Sequence, residues 1–589
     1  MEFLGKLFTV RVLILLAVFW GLGGIVSSIH DPVNMDESEF AAAAIGYMKT
    51  GQPSYQVGSI LKEEIKLAPW AFGHGPSPDY QLGLWHSSFL VPLISKIYEI
   101  FGVSSWATRL PGAICFICGF FLLFYLLKDQ GQTFKLAFLI LYFSMPLLLQ
   151  QSLMVDFDNT IGILGLCLSL FVYERCSNKF NFWQMVLLHT FLVGLLCWCK
   201  EYMPIYWVPA VFLYEALRKK WKLVAAVTVG ALLGVGLFWL TWSVWCNSMG
   251  ISPDYFIRFS FVRRSRGTEG MGDLLSLIRN FGFRDMLVLL SRSLAQSLVY
   301  IDMSFVFLLV FLIPQFKKIF RERKFDLLLL LMALSVLFIA KFSRPSVVSF
   351  KYEYPMYPLF IWLIARSLDQ MLSVTEFRKL LILGMFLAVP RAILCGDPIL
   401  FMSALRESFE IIQMSLIVSL LSMLVVALVV QLVFRTGMDY RRNLLYSTIV
   451  ALFAFNLSLG GLQRRNYLTV SNYFQNYGES GAMVAANQLR SWVERYPQAI
   501  VYTRRDLGVL AFHFSGQEAR SWKGYDVLTD RAGFDELNKA EVAFILADRH
   551  GFGKPEKIFK DWGFQTVGTY TDFLLFGRHL KLDAKTSKK

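Results

Sequence analysis

The chain has 589 residues, of which 17% are charged and 55% hydrophobic, with a formal net charge of +15 and a mean hydropathy of +0.49. A soluble protein carries roughly 25% charged residues, so this composition argues against a soluble globular chain and for one that crosses a membrane many times. The basic excess gathers in short loops between apolar runs. That is the pattern of cytoplasmic loops, and it accounts for the charge without nucleic acid as a partner.

Lys6 precedes an apolar run from Leu7 to Ile29, longer than the core of a cleavable signal peptide and read as a retained first helix. A polar stretch follows, taken as a first external loop over residues 30–105. Within it, Gln81 to Phe101 is moderately apolar but carries His86, Lys96 and Glu99, which suits an amphipathic helix lying on the membrane surface.

Further spans are expected at 106–127, 134–152, 159–174, 183–199, 202–217, 223–246, 296–314, 326–341, 355–368, 379–395, 409–434 and 443–462. With the first helix they make about thirteen crossings at about 20 residues each. This drawing puts Lys128/Lys135, Arg175/Lys179, Arg218–Lys222, Lys317–Lys324, Arg378–Lys379 and Arg435–Arg442 on one side, as the positive-inside rule requires. Counting Gln81–Phe101 as a crossing would invert every one of these loops.

Residues 1–462 thus form an expected transmembrane domain, and 463–589 an extracytoplasmic one. In the latter, Ala482–Tyr496 reads as a helix, and Ala499–Thr503, Val542–Leu546 and Phe573–Gly577 read as strands, suggesting a small α/β domain. The eight cysteines all lie outside this stretch, so it has no disulfide framework. Cys115 and Cys118 fall inside a span and read as packing residues.

Three groups of polar residues fall on the external side of this drawing. Asp36 and Glu37 follow the first helix. They suit either interfacial solvation or a general base within reach of an acceptor hydroxyl. Asp156 and Asp158 lie between two spans. Asp158 or Asn159 could cap the next helix; alternatively, Asp156 and Asp158 could bind an acceptor or a divalent cation, since an oxygen-rich site suits Mg²⁺, Mn²⁺ or Ca²⁺. No other cofactor is indicated. Lys200, Arg258, Arg263, Arg264 and Lys351 are external cations mixed with aromatics, which the orientation rule does not explain. They suit a specific phosphate, or the anionic heads of ordinary membrane lipids.

In order and spacing these segments resemble the GT-C superfamily of glycosyltransferases, of the protein O-mannosyltransferase type, with a layout similar to the bacterial lipid A aminoarabinose transferases. The resemblance rests on Met35-Asp36-Glu37, Gly73-His74-Gly75-Pro76, Phe101-Gly102, Arg109-Leu110-Pro111, Asp158-Asn159-Thr160, Lys200 at a helix end, and Lys351-Tyr352-Glu353-Tyr354-Pro355. It implies a GT-C fold and a sugar donor linked to polyprenyl phosphate. It also implies inverting attack by an acceptor hydroxyl on the extracytoplasmic side, with Asp36 as base and Glu37 beside it. His74 would orient the acceptor or phosphate, or less readily ligate a metal. Lys200, Arg258, Arg263, Arg264 and Lys351 would hold the donor phosphate, and Tyr352 and Tyr354 would contact the sugar or sit as interfacial aromatics. The acceptor would be a lipid, a glycan or a protein, and the location a bacterial inner membrane with the C-terminal domain in the periplasm. Two departures stand out: His74-Gly75 replaces the Glu-Lys of the aminoarabinose enzymes, and Glu201 replaces a glycine after Lys200. An O-antigen polymerase or ligase would also use an external site and a lipid-linked substrate. A transporter would instead place charges mid-span and show inverted repeats.

Overall fold

The computed structural model describes residues 8–29, 35–56, 80–83, 88–127, 130–153, 155, 158–257, 324–343, 354–394, 409–434, 439–462, 482–504, 519–522, 539–548, 555–569 and 573–578, with isolated positions between 284 and 321. By internal contacts the chain forms two compact units. One comprises Met1–His30, Arg109–Trp242 and Arg263–Asn476; the other comprises Asp31–Thr108, Ser243–Val262 and Tyr477–Lys589.

The first unit is helical. It contains α1 (Val10–Ser28) and most of α4 (Ser105–Tyr125). Next come α5 (Gln132–Ser144), α6 (Pro146–Leu153), α7 (Ile163–Cys176), α8 (Phe182–Cys199), α9 (Pro204–Leu217) and α10 (Trp221–Ser248), the last running on into the second unit. After these come α11 (Lys324–Ser343), α12 (Tyr357–Met371), α13 (Val374–Leu394), α14 (Phe409–Phe434) and α15 (Tyr440–Leu462). Among the described residues, α1, α4, α8 and α10 are each long and apolar enough to cross a bilayer. The remaining helices follow the expected spans, except that 296–314 falls largely outside the described residues. The span expected at 134–152 is broken in two. Met145 leaves the helical region and Pro146 starts α6, because a proline ring cannot continue a helix that needs its N–H.

Close helix packing comes from glycine. A Cβ on Gly230 would sit 2.6 Å from His189 Cβ, and one on Gly234 would sit 2.7 Å from Val193 Cβ. This small-xxx-small stripe lets α10 lie directly on α8, as membrane helices do where apolar burial alone gives no preference. Gly234→Leu would force the pair apart.

The helix ends facing the basic loops are tied together by polar side chains. Asp326 on α11 is fully buried and accepts from Trp362 Nε1 at 2.9 Å, with Arg366 Nε at 3.7 Å. Arg366 donates to Gln130 at 2.7 Å, and Asp369 accepts from the Phe134 N–H at 3.1 Å, so α5, α11 and α12 share one network. The Tyr173 hydroxyl donates to buried Glu215, which Arg218 meets at 3.1 Å, joining α7 to α9. Glu376 accepts from Ser373 and from Tyr446 and pairs with Arg442, joining α13 to α15. Arg378 donates to the Phe8 carbonyl at 2.7 Å, tying α13 to the segment before α1.

In the second unit, α2 (Met35–Thr50) packs on α3 (Leu90–Phe101) and on β1 (Ser54–Gln56), which pairs antiparallel with β2 (Tyr80–Leu82). A Cβ at Gly46 would lie 1.6 Å from the Ser54 carbonyl oxygen, so only glycine admits this approach. The helix expected over Gln81–Phe101 is shorter than its apolar pattern: residues 80–82 are strand and only Leu90–Phe101 is helix. Its buried face is Leu90, Val91, Ile94, Ile97 and Tyr98, while Lys96 and Glu99 pair at 2.8 Å on the exposed side. Gly102, at φ +77, ends it. At about 18 Å this helix is too short to span a bilayer. Gln52 donates to the Met249 carbonyl at 2.7 Å and the Tyr255 hydroxyl to that of Leu82 at 3.3 Å, mooring the β1–β2 pair to the residues after α10.

Residues near the C-terminus form α16 (Ala482–Arg495), β3 (Ile500–Arg504), β4 (Ala519–Trp522), β5 (Ala543–Asp548), α17 (Pro555–Asp561), β6 (Gln565–Thr569) and β7 (Phe573–Arg578). The sheet order is β4-β3-β5-β7-β6. β4, β3 and β5 are parallel, and β7 is antiparallel to both neighbours. Ile545, Phe559, Phe564, Leu574 and Phe576 pack on one face, each large side chain contributing about 1.5–3 kcal/mol by burial. The three expected strands and the helix at Ala482 are present; β4 and β6 were not anticipated.

Candidate active site

α2 begins at Met35, so Asp36 and Glu37 occupy its first turn, where the helix dipole favours carboxylates. That explains their local fit but not the depth of Glu37, whose side chain has no solvent exposure. A carboxylate is seldom buried without a partner or a task. Glu37 lies close enough to the Tyr98 phenol to act on it. Burial pushes the Tyr98 pKa well above its ordinary value; the hydrogen bond with Thr108 lowers it, and the Glu37 charge raises it further. For Asp36 the helix position alone is described.

Asp158 opens a π-helical turn, Asp158–Gly162, and the N-cap of α7 is Gly162, with no side-chain cap. A π turn spends a hydrogen bond to displace the chain outward, and such turns recur at functional sites. This one touches three elements: α6, α8 and the 3-10 turn Tyr354–Met356. Tyr354 is fully buried. Its hydroxyl lies beside Ser152 of α6 without a full hydrogen bond. Buried deep among helices, it is not an exposed interfacial aromatic.

Lys200 is the C-cap of α8, at the end of the helix that the π turn contacts. It is 3% exposed, and its Nζ stands 4.4 Å over the Tyr202 ring. A helix C-terminus and an aromatic face both favour a cation. The strand-like backbone of Lys200 ends α8, and Pro204 at the start of α9 resumes the helix.

The structure therefore brings the turn of Asp158, the turn of Tyr354 and the helix that ends at Lys200 into one cluster at one end of the first unit. Asp36 and Glu37 sit together on α2 in the second unit. His74, Asp156, Arg258, Arg263, Arg264, Lys351 and Tyr352 lie outside the described residues. Among the described residues no cluster of three His, Cys, Asp or Glu side chains could hold a metal ion.

Arg109 was part of the family pattern but not of the candidate set. It is fully buried on α4 and donates to the Ser28 carbonyl at the end of α1, at 3.2 Å. Its signal was in the sequence: an arginine inside an apolar span, against the orientation bias. Cys115, Cys167, Cys197 and Cys199 are buried free thiols, consistent with a packing role, whereas Cys118, also free, is exposed.

Residues 87–245 match the family described as dolichyl-phosphate-mannose-protein mannosyltransferase. In fold, the chain is similar to the crystal structure of ArnT from Cupriavidus metallidurans bound to undecaprenyl phosphate. The TM-score is 0.53 at 14% identity, covering 97% of this chain and 98% of that one. The apo structure of the same ArnT gives 0.52 at 13% identity, covering 96% and 97%. No curated protein matches the chain in sequence.

Proposed function

We infer that the chain works as a membrane glycosyltransferase of the GT-C type, a reading supported by the family match over residues 87–245 and the fold likeness to ArnT. We propose that it transfers a sugar from a polyprenyl-phosphate carrier to an acceptor hydroxyl on the extracytoplasmic side of a bacterial inner membrane, with inversion at the anomeric carbon. The observation that carries this reading is the likeness, across nearly the whole of both chains, to a transferase crystallised with undecaprenyl phosphate.

In this reading Asp36 removes the proton of the attacking hydroxyl, and buried Glu37 holds the local charge and geometry. The anomeric carbon–oxygen bond to phosphate breaks as the new glycosidic bond forms, and the electron pair leaves with the polyprenyl phosphate. Lys200, with Arg258, Arg263, Arg264 and Lys351, neutralises that leaving group, which is where charge develops. Asp156, Asp158 and His74 face the acceptor, with a divalent cation as an optional aid, and Tyr352 contacts the sugar, which fully buried Tyr354 does not reach in this structure. The polar C-terminal residues, 463–589, form the extracytoplasmic domain.

Asp36→Asn tests the base. It removes the proton acceptor with little change in shape, and a positioned base supplies about 10²–10⁴-fold in rate. Cells carrying D36N should therefore lose the glycan product while the protein inserts at its normal level; near-normal product would sink the assignment. A tag on Lys589 tests sidedness: it should resist protease in intact cells and yield once the outer compartment is opened.

A further inference from the structure

The arginines at the basic-loop end of the helical unit are held in two ways. Arg218, Arg366 and Arg442 each meet a carboxylate. Arg175, in the last turn of α7, meets none: among the described residues it makes no hydrogen bond and no ion pair. Its guanidinium stands instead over two rings, 4.6 Å from the centre of Tyr125 on α4 and 5.8 Å from that of Phe171 on α7. The rings meet edge to face at 5.6 Å. Aromatic faces and the negative end of its own helix thus hold the cation in place, and its five N–H donors are left for an acceptor from outside the chain.

Arg175 also stands in a groove. The groove encloses about 660 Å³ and is lined by Cys118, Phe121, Leu122 and Tyr125 of α4 and by Phe171 and Arg175 of α7. That is several times the roughly 150 Å³ that admits a benzene ring. The α4 residues follow at i, i+3, i+4 and i+7, one stripe along one helix face, about 10 Å long. Phe121 and Tyr125 are at least half exposed, so the groove opens sideways to whatever surrounds the helices. Tyr125, with exposed Trp183 at the start of α8, marks its mouth as lying at headgroup depth, where these residue types collect.

Orientation across the bilayer asks only for positive charge near this end, which exposed Lys179 supplies from the turn after α7. It does not ask that a cation line a groove. An apolar wall leading to a cation at headgroup depth fits an acyl chain that ends in an anionic headgroup. The donor phosphate belongs elsewhere: Arg175 lies about 20 Å along α7 from Gly162, where the π turn of the proposed transfer site ends.

We propose that this groove binds an anionic glycerophospholipid of the leaflet facing the basic loops. The Arg175 guanidinium donates to its phosphate, Lys179 adds positive charge one turn on, and one acyl chain runs along Leu122, Phe121 and Cys118. The site stands whether or not the chain transfers a sugar.

The test uses the full chain purified in detergent. Cys118 is an exposed free thiol in the groove, so its alkylation by N-ethylmaleimide, followed on its own peptide by mass spectrometry, reports occupancy. Phosphatidylglycerol should slow that alkylation at least about fivefold, and phosphatidylcholine with the same chains less than about twofold. Arg175→Gln should raise the phosphatidylglycerol concentration for half-protection at least about tenfold, since it removes a charged hydrogen bond. The proposal is overturned if the two phospholipids protect the unaltered chain equally, or if neither protects it, outcomes that do not depend on how any variant folds. It is also overturned if inorganic phosphate alone protects as well as phosphatidylglycerol, which would make this a free-anion site. Protection by undecaprenyl phosphate at lower concentration than phosphatidylglycerol would overturn it too, by giving the groove to the donor carrier, as would protection that survives R175Q within about twofold.

Discussion

The two ends of the helical unit are built differently. At the end facing the basic loops, carboxylates meet cations and donors from neighbouring helices: Asp326 with Trp362 and Arg366, Glu215 with Tyr173 and Arg218, and Glu376 with Ser373, Tyr446 and Arg442. At the other end the described contacts are of another kind. Lys200 rests over an aromatic ring, Tyr354 has its hydroxyl short of a full bond, and Asp158 opens a π turn. A carboxylate–cation network holds helices together; a cation at a helix end, over an aromatic face, suits an anionic ligand. Taken with the proposed transfer site at Lys200, the contrast predicts that stability and activity separate between the two ends.

The sharpest way to break that contrast is Asp326→Ala. It leaves the Trp362 N–H and Arg366 without their buried acceptor, which costs about 3 kcal/mol. The detergent-purified protein should melt several degrees lower, yet retain transfer activity per folded molecule below its new melting point. A variant equally stable and inactive would reverse the roles of the two ends. Next in size is Lys200→Ala. A charged hydrogen bond to phosphate is worth about 1.5–3 kcal/mol, so undecaprenyl phosphate should bind about 10–100-fold more weakly, with the melting temperature of the free protein nearly unchanged. A fall in melting temperature with unaltered binding would make Lys200 a structural cap.

The smallest effect concerns pH. Glu376 lies ahead of the apolar part of α13. Burial alone would raise its pKa, but the hydrogen bonds from Ser373 and Tyr446 and the charge of Arg442 outweigh burial and hold it at about 2, below its ordinary value of 4.5. A depressed carboxylate stabilises the fold above its unfolded value and loses that contribution as pH falls toward its folded value. Melting temperature should therefore drop between about pH 4.5 and 2, and Glu376→Gln should flatten that part of the curve while lowering stability at pH 7. An unchanged profile would show that Arg442, more than half exposed, contributes little there.

Much of the fold was legible because a bilayer leaves few choices. A run of about 20 apolar residues must be a helix, and α1, α4, α8 and α10 begin and end within a few residues of their apolar runs. The break at Pro146 was also in the sequence, as a proline inside an apolar run, but hydropathy averages over it. β4, Ala-Arg-Ser-Trp, and β6, Gln-Thr-Val-Gly-Thr, escaped because they are edge strands with little apolar alternation, and β6 carries a register shift between Thr566 and Gly568. Their partners, rather than their own side chains, make them strands. The candidate site was legible in part. Lys200 stood out as a cation on the wrong side of the charge pattern. Asp158 stood out too, as a cap or an acceptor-binding acid; the π turn it opens, in contact with α6, α8 and the Tyr354 turn, was not legible from local rules. Glu215 and Asp326 went unnamed because a lone acid at a span boundary looks like solvation until its partners on other helices are seen.

The length of α10 has a consequence of its own. Its 28 residues extend about 42 Å, well beyond a hydrocarbon core of about 30 Å. Trp221 and Lys222 stand at one end and Trp245 near the other, about 36 Å apart along the axis, a spacing that suits anchors at the two headgroup layers. The helix then acts as a gauge of bilayer thickness: in a thinner membrane it must tilt, and in a thicker one its anchors are drawn inward. Reconstitution into lipids of graded chain length should make the protein's behaviour depend on the membrane that surrounds it.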